Sequence, residues 1–178
     1  MKKYLPVVLA SLLSTASVAG EMKNLNTYIG AGAGISKDEI LDRYYNETIA
    51  AGKLFAGITY NTYSGLEASY AYLGNFANSQ IQQQALALNL AAFIPLIENL
   101  RLIAKGGIYY YQLDVSSSST GTSINSSDNG NNLTFGLGLK YNFDYRNALR
   151  AEWERYKDLG GSDVDMYSVS YSYRFGRQ

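Results

Sequence analysis

The sequence predicts an all-β fold, an eight-stranded antiparallel up-and-down transmembrane β-barrel, and three observations lead to it. Apolar residues alternate with small or polar ones in eight segments after residue 20, and a period of two is the period of a strand. Only two prolines occur, so nearly every segment is free to form a strand. Tight and longer polar connections alternate between the segments, as they do at the two rims of such a barrel.

Residues 1–20 are predicted to be a secretory signal peptide and therefore not part of the fold. Lys2 and Lys3 precede a short apolar run, which is followed by small residues that suit a cleavage site. The run is too short to span a membrane as a helix. Removal of the peptide leaves thirteen basic and fifteen acidic residues, a balance that does not favour a nucleic-acid partner. Residues 21–178 are expected to form one domain.

The first four predicted strands each have one apolar face and one small or polar face. Phe55 interrupts the polar face of the second strand, which is therefore less regular than the others. The four segments are 27–36, 52–60, 63–74 and 82–93. The apolar faces include Ile29, Ala31, Ala33 and Ile35, then Leu54, Ala56 and Ile58, then Leu66, Ala68, Tyr70 and Tyr72, and finally Leu86, Leu88 and Leu90.

The last four predicted strands repeat this alternation. They are 100–114, 133–143, 148–156 and 166–178. In the final segment one face carries Tyr167, Val169, Tyr171, Tyr173 and Phe175, and the other carries Met166, Ser168, Ser170, Ser172 and Arg174. This strand is expected to pair with the first, because an open edge in hydrocarbon would leave backbone groups without partners.

The connections predict which rim of the barrel faces which way. Outer-membrane barrels have short turns on the periplasmic side and longer loops on the outside. The tight connections are 61–62, 96–99 and 144–147. The longer, polar connections are 37–48, 75–80, 116–132 and 158–163.

The polar face decides between a membrane barrel and a soluble, ligand-carrying barrel. It is rich in glycine and serine and poor in the lysine and glutamate that a water-facing surface carries. Small residues suit the interior of an eight-stranded barrel, where space only just suffices for side chains. Arg150 on the lipid side at mid-depth would cost about 2–4 kcal/mol. We therefore predict that the apolar face meets lipid and that the interior holds Glu67, Lys105, Lys140, Arg150 and Glu152.

Several motifs resemble the transmembrane domain of the outer membrane protein A (OmpA) family. The resemblance covers most of residues 21–178 and is densest at 55–74, 95–111, 149–156 and 169–176. It implies an outer-membrane barrel surrounded by lipid and lipopolysaccharide, without a cofactor. Larger members continue into a periplasmic peptidoglycan-binding domain, which is not expected in 21–178. The aromatic ending with Tyr171, Tyr173 and Phe175 is similar to the signal that the barrel-assembly machinery reads.

In that family an interior charge cluster blocks the lumen and can rearrange into a narrow pore. By matching motif, the resemblance assigns Glu67 in GLEASY, Lys105 in IAKGG, and Arg150 with Glu152 in LRAE to such a cluster. Lys140 in GLKYNF departs from the pattern, because the family often has an acid there. A simpler interpretation is that buried charges only neutralise each other inside a plugged barrel.

Two functions remain open at this point, and an enzyme is not expected. One is a structural barrel with, as a finer hypothesis, a narrow gated pore for ions or small solutes. The alternative is a surface adhesin or serum-resistance protein that contacts a host or surface ligand through 37–48 and 116–132. The chain has no histidine to act as a base near neutral pH and no cysteine nucleophile, so neither enzymatic chemistry nor a metal site is predicted.

Overall fold

The computed structural model describes residues 26–38, 48–76, 81–119, 122–159 and 161–175. The predicted signal peptide 1–20 lies outside these residues, as does most of the predicted loop 37–48. No helix among the described residues is long and apolar enough to cross a membrane.

Eight strands, each antiparallel to its neighbours, close into one barrel in chain order, which confirms the predicted fold class. We call the rim with connections 60–63, 96–99 and 143–146 the turn rim, and the opposite rim the loop rim. The strands are β1 (Asn26–Asp38), β2 (Thr48–Thr59), β3 (Ser64–Phe76), β4 (Ile81–Pro95), β5 (Leu100–Ser119), β6 (Thr122–Asn142), β7 (Asn147–Leu159) and β8 (Ser162–Phe175).

The seam between β1 and β8 closes the barrel, as the sequence predicted. It runs from Thr27 opposite Phe175 to Asp38 opposite Val164. The inward positions of this seam pair glycines of β1 with serines of β8. A Cβ on Gly32 would lie 2.6 Å from the carbonyl oxygen of Val169, so the two strands approach more closely here than a larger residue permits.

The outward face is apolar in the middle of the strands, with aromatic rings towards the strand ends. Phe55 is not part of it, since its ring points inward and is buried. Among the exposed aromatic residues are Tyr60, Tyr63, Tyr110, Tyr141, Phe143, Tyr167, Tyr171 and Phe175. Leucines, isoleucines and valine occupy the stretches between them, for example Leu54, Leu88, Leu90, Ile108, Leu137, Leu139 and Val169. This is the pattern of a lipid-facing band with interfacial aromatic girdles.

The interior is filled in three layers, whose order can be followed along β5. Ile103 belongs to the layer near the turn rim, Lys105 to a charged layer, and Tyr109 to the layer near the loop rim. The first layer contains Tyr28, Phe55, Ala91, Phe93 and Ile103. The layer near the loop rim contains Leu73, Tyr109, Tyr111, Tyr156, Leu159, Val164 and Met166, with several alanines.

Two connections at the loop rim are much shorter than the sequence predicted. The predicted loop 116–132 is largely strand, because the β5–β6 ladder continues to Ser119 opposite Thr122. The predicted connection 158–163 is also shorter, since β8 begins at Ser162. Polar composition indicated contact with water, but it does not prevent two neighbouring antiparallel strands from continuing their hydrogen bonds.

Candidate functional site: the interior charge cluster

Six charged side chains meet in the middle of the barrel interior, and we call them the charge cluster. Each stands at an inward position of its strand, and each residue is at most 6% exposed. Three are basic and three acidic, so the cluster is formally neutral. Its members are Lys53 on β2, Glu67 on β3, Lys105 on β5, and Arg150, Glu152 and Glu154 on β7.

Arg150 lies at the centre of the charge cluster. Its Nη1 donates to Oε2 of Glu67 at 2.7 Å, and its Nη2 donates to Oε1 of Glu152 at 2.8 Å. The guanidinium also lies 4.3 Å from the ring centroid of Phe55. A planar guanidinium can therefore bridge two carboxylates and rest on an aromatic face at the same time, which explains why Phe55 points inward.

The two lysines complete the pairing of the acids. Lys105 Nζ lies 3.1 Å from Glu67, 2.9 Å from Glu152 and 2.7 Å from Glu154. Lys53 Nζ lies 2.9 Å from Glu152 and 2.5 Å from Glu154. Each carboxylate thus contacts at least two cations, and this compensates for removing the charges from water.

The charge cluster contains four of the five interior charges predicted from the sequence: Glu67, Lys105, Arg150 and Glu152. Lys140 is buried but lies outside it, with its ammonium 5.6 Å from the Tyr28 ring centroid and 5.7 Å from that of Phe93. Within the described residues no carboxylate lies at ion-pair distance from Lys140.

Lys53 and Glu154 also belong to the cluster, although neither was predicted to be a member. Both stand at inward positions, and Glu154 follows Glu152 by one strand period. Their inward position in the strand period was the sequence feature that could have identified them as members of the cluster. The OmpA-like motifs did not point to Lys53, because it precedes the segment that carries the resemblance.

Tyr28 connects the charge cluster to the aromatic layer beneath it. Its hydroxyl donates to Oε2 of Glu67 at 3.0 Å. Its ring packs edge-on against Phe55 and Phe93, with centroids 6.3 and 6.4 Å apart. The barrel is therefore filled at this level, and Glu67 is held by a hydroxyl as well as by cations.

The three aromatic residues of the predicted assembly signal lie on the outward face of β8. Tyr171 and Phe175 are exposed, and the Tyr173 and Phe175 rings pack edge-on with centroids 5.1 Å apart. They are available at the outer surface next to the β1–β8 seam.

Solved structures of outer-membrane barrels share this fold. Ail, the attachment invasion locus protein of Yersinia pestis, aligns with a TM-score of 0.61 at 17% identity, over 85% of this chain and 99% of Ail. The N-terminal barrel domain of Pseudomonas aeruginosa OprF aligns with a TM-score of 0.61 at 13% identity, over 85% and 98%. Neisserial surface protein A aligns with a TM-score of 0.61 at 11% identity, over 86% and 98%. At these identities the likeness concerns the fold alone.

Sequence comparison gives the family. No curated protein matches the chain significantly. The profile of the outer membrane protein beta-barrel domain matches residues 5–175, nearly the whole chain. The resemblance to eight-stranded outer-membrane barrels is thereby confirmed, and the family places the protein in the bacterial outer membrane. The chain belongs to the outer membrane protein beta-barrel domain family.

Proposed function

We propose that this protein is a structural barrel of the outer membrane whose charge cluster closes the lumen and acts as the gate of a narrow ion pathway. The observation that carries the proposal is the sharing of partners in the cluster. Glu152 contacts Lys53, Lys105 and Arg150, and Lys105 contacts all three acids. An ion pair can therefore be exchanged without leaving a buried charge unpaired.

Partner exchange is what a gate in a low-dielectric interior requires. Breaking one buried pair outright costs several kcal/mol, roughly 3–5 when a partner is removed. Moving Arg150 from Glu67 towards Glu152 avoids much of that cost, because Lys105 remains beside Glu67 at 3.1 Å. The freed space lies between two apolar layers, so an opening also requires Tyr28 or Phe55 to move.

Single-channel conductance of the refolded barrel in a planar bilayer tests the gate. Arg150→Ala leaves the cluster with three acids and two bases, and we expect more frequent or larger openings than in the wild type. Arg155→Ala is the matched control, since Arg155 is on the same strand but pairs with Asp165 outside the cluster. Equal conductance in both variants and the wild type would contradict the proposed gate. So would the absence of any conductance in all three proteins, provided that a heat-dependent gel shift shows that they are folded.

The chemistry of the interior supports a non-enzymatic role. Glu152 and Glu154 are the adjacent inward carboxylates that could serve as an acid–base pair, and both are bound by lysines in the buried cluster. A general base needs access to a substrate proton. Substrate hydrolysis that is lost in Glu152→Gln but retained in Glu98→Gln would contradict this part of the proposal.

A surface-contact function is the second candidate, and the β5–β6 hairpin favours it. These strands have 20 and 21 residues, against 12 to 15 in the other six, so the hairpin continues beyond its neighbours at the loop rim. Ail, which shares the fold, was solved in complex with the heparin analogue sucrose octasulfate. The proposed contact segments are 37–48 and 116–132.

Binding of the purified barrel to immobilised sulfated glycan tests this candidate. We expect deletion of 116–132 to abolish binding and Arg150→Ala to leave it unchanged. Absence of binding by the wild type, or binding that survives the deletion, would contradict the surface-contact function.

The proposed route to the membrane begins with removal of 1–20 and ends with recognition of Tyr171, Tyr173 and Phe175 by the barrel-assembly machinery. Their position on the outward face of the last strand supports this role. Once inserted, the loop rim would lie in the leaflet that contains lipopolysaccharide. Phe175→Ala should lower the amount of heat-modifiable barrel in cells while in vitro refolding is retained; equal cellular amounts would argue against the signal.

A further inference from the structure

A cavity of about 370 Å³ opens at the turn rim, below the aromatic layer. We call it the vestibule. It lies between the start of β1, the β2–β3 connection, the start of β5 and the end of β8, and its lining includes Asn26, Thr59, Thr62, Arg101 and Arg174. Along β5 the inward residues run from Arg101 through Ile103 to Lys105. The vestibule is therefore separated from the charge cluster by an apolar layer.

Among the described residues, the lining of the vestibule contains two guanidinium groups and no acid. Neither Arg101 nor Arg174 forms an ion pair within the described part of the chain. Within the described residues, Arg101 Nη1 donates to the Thr62 carbonyl at 3.5 Å, and its Nε is buried without a hydrogen-bond partner. The Arg174 guanidinium lies 5.6 Å from the Tyr145 ring centroid.

A third basic residue neighbours Arg101 in the sheet. Lys140 is the partner of Arg101 in the β5–β6 register, and its ammonium lies above the rings of Tyr28 and Phe93. Two acids lie in the described turns of this rim, Asp144 and Glu98. Asp144 accepts hydrogen bonds from the backbone of Arg146 and Asn147 and from the Asn147 side chain. Glu98 is exposed and forms no ion pair within the described residues. Three basic side chains thus lie at this end of the lumen, and none of them forms an ion pair within the described residues.

We propose that the vestibule binds an anion of the phosphate class at the periplasmic mouth of the barrel. A guanidinium presents its donors in a fixed fork that matches a phosphate oxyanion, and an oxyanion would satisfy the buried Nε of Arg101. The cavity volume suits a small anion or a lipid headgroup. The turn rim faces the periplasm in outer-membrane barrels, so free phosphate and the phosphate of an inner-leaflet lipid both have access.

The first experiment titrates inorganic phosphate into the full refolded barrel at low ionic strength, in a detergent without phosphate groups, and measures heat of binding. We expect saturable one-to-one binding. Thr62→Glu, in the exposed turn, places a carboxylate beside Arg101 and should weaken binding at least tenfold. Thr62→Gln is its neutral control and should stay within twofold. The absence of saturable binding, or equal affinity in the two variants, overturns the proposal.

Removal of the cations provides an independent measurement. Arg101→Gln and Arg174→Gln should each weaken phosphate binding at least tenfold. Arg146→Gln removes the same charge from an exposed position on the same rim and should have no effect beyond twofold. An equal loss in all three would show only a general charge effect and would overturn the site. The Thr62 pair keeps the test decisive if an arginine variant does not fold.

Nanodiscs distinguish the two sources of the phosphate. If phosphatidylglycerol lowers the apparent affinity for free phosphate and uncharged glycolipid does not, the vestibule is occupied by a lipid headgroup. If both lipids leave the affinity unchanged, the ligand is a free anion. Either result supports the phosphate site, provided that Thr62→Glu weakens the binding in the same disc.

Discussion

Arg150 Nη1 and Glu67 Oε2 lie 2.7 Å apart in the middle of the barrel, although the two residues are 83 positions apart in the chain. Both side chains are fully buried. The pair joins β7 to β3 across the lumen, where no backbone ladder connects the strands. It therefore couples opposite walls of the barrel and makes the packing of the interior depend on charge compensation.

Glu67→Gln should destabilise the barrel by about 3–5 kcal/mol, because it leaves Arg150 and Lys105 with too few acids in a buried site. Urea unfolding in liposomes, followed by tryptophan fluorescence, measures the change. Glu98→Gln is the control, since Glu98 is exposed in a turn. The double variant Glu67→Gln/Arg150→Met should recover part of the loss. Equal unfolding midpoints for Glu67→Gln and Glu98→Gln would show that the pair contributes nothing.

Lys53 and Glu154 should be energetically coupled, since their charged atoms lie 2.5 Å apart and both are buried. A double-mutant cycle with Lys53→Met and Glu154→Gln is expected to give a coupling energy of about 0.5–3 kcal/mol. The same cycle on Lys157 and Asp163, an exposed pair at 2.6 Å, should give at most about 1 kcal/mol. A larger coupling in the exposed pair would refute the importance of burial.

Gly32→Val should impair closure of the barrel, because its Cβ would meet the Val169 carbonyl at 2.6 Å. Overpacking of this kind costs about 1–3 kcal/mol. Ala31→Val is the matched control, since Ala31 faces outward on the same strand. The measurement is the fraction of heat-modifiable barrel after refolding. If both variants refold equally well, the seam tolerates more volume than its geometry indicates.

Asp144 makes the 143–146 turn sensitive to acid. Hydrogen bonds from the Asn147 side chain, and then from the backbone amides of Asn147 and Arg146, hold the pKa of this carboxyl below its ordinary value. The folded pKa is the lower one, so this contribution is complete above the unfolded pKa of about 3.9 and is lost as pH falls through the folded pKa. Asp144→Asn should therefore reduce the slope of the unfolding midpoint against pH below about pH 4. An unchanged slope would contradict this.

The period of two predicted the strands and their inward faces. Phe55 interrupted the polar face of its strand, and its ring nevertheless follows the period and points inward. It could not predict which inward charges would meet. Lys140 and Arg150 are partners in the β6–β7 register, yet only Arg150 reaches the acids. That difference depends on side-chain direction and on the space left by Gly136 and Gly138 beside the acids of β7. Neither the direction of these side chains nor the space beside the glycines can be predicted from the sequence of one strand alone.

The boundaries at the loop rim were harder to predict for a related reason. Residues 116–132 are polar, and their composition fits a loop as well as a solvated hairpin. Only the pairing of β5 with β6 distinguishes the two, and pairing is a property of two segments together. Local propensity gives no sign of where such a ladder stops.

Leu137→Arg should separate a membrane barrel from a soluble one. Leu137 is exposed on the outward face of β6, between the aromatic positions Phe135 and Tyr141. A charge on the lipid face at mid-depth costs about 2–4 kcal/mol, but only about 0–1 near an interface, so Tyr141→Arg should be much milder. Urea unfolding in liposomes measures both free energies. A soluble barrel would accept both arginines equally, because water solvates them at every height; such a result would place the outward face in water instead of lipid.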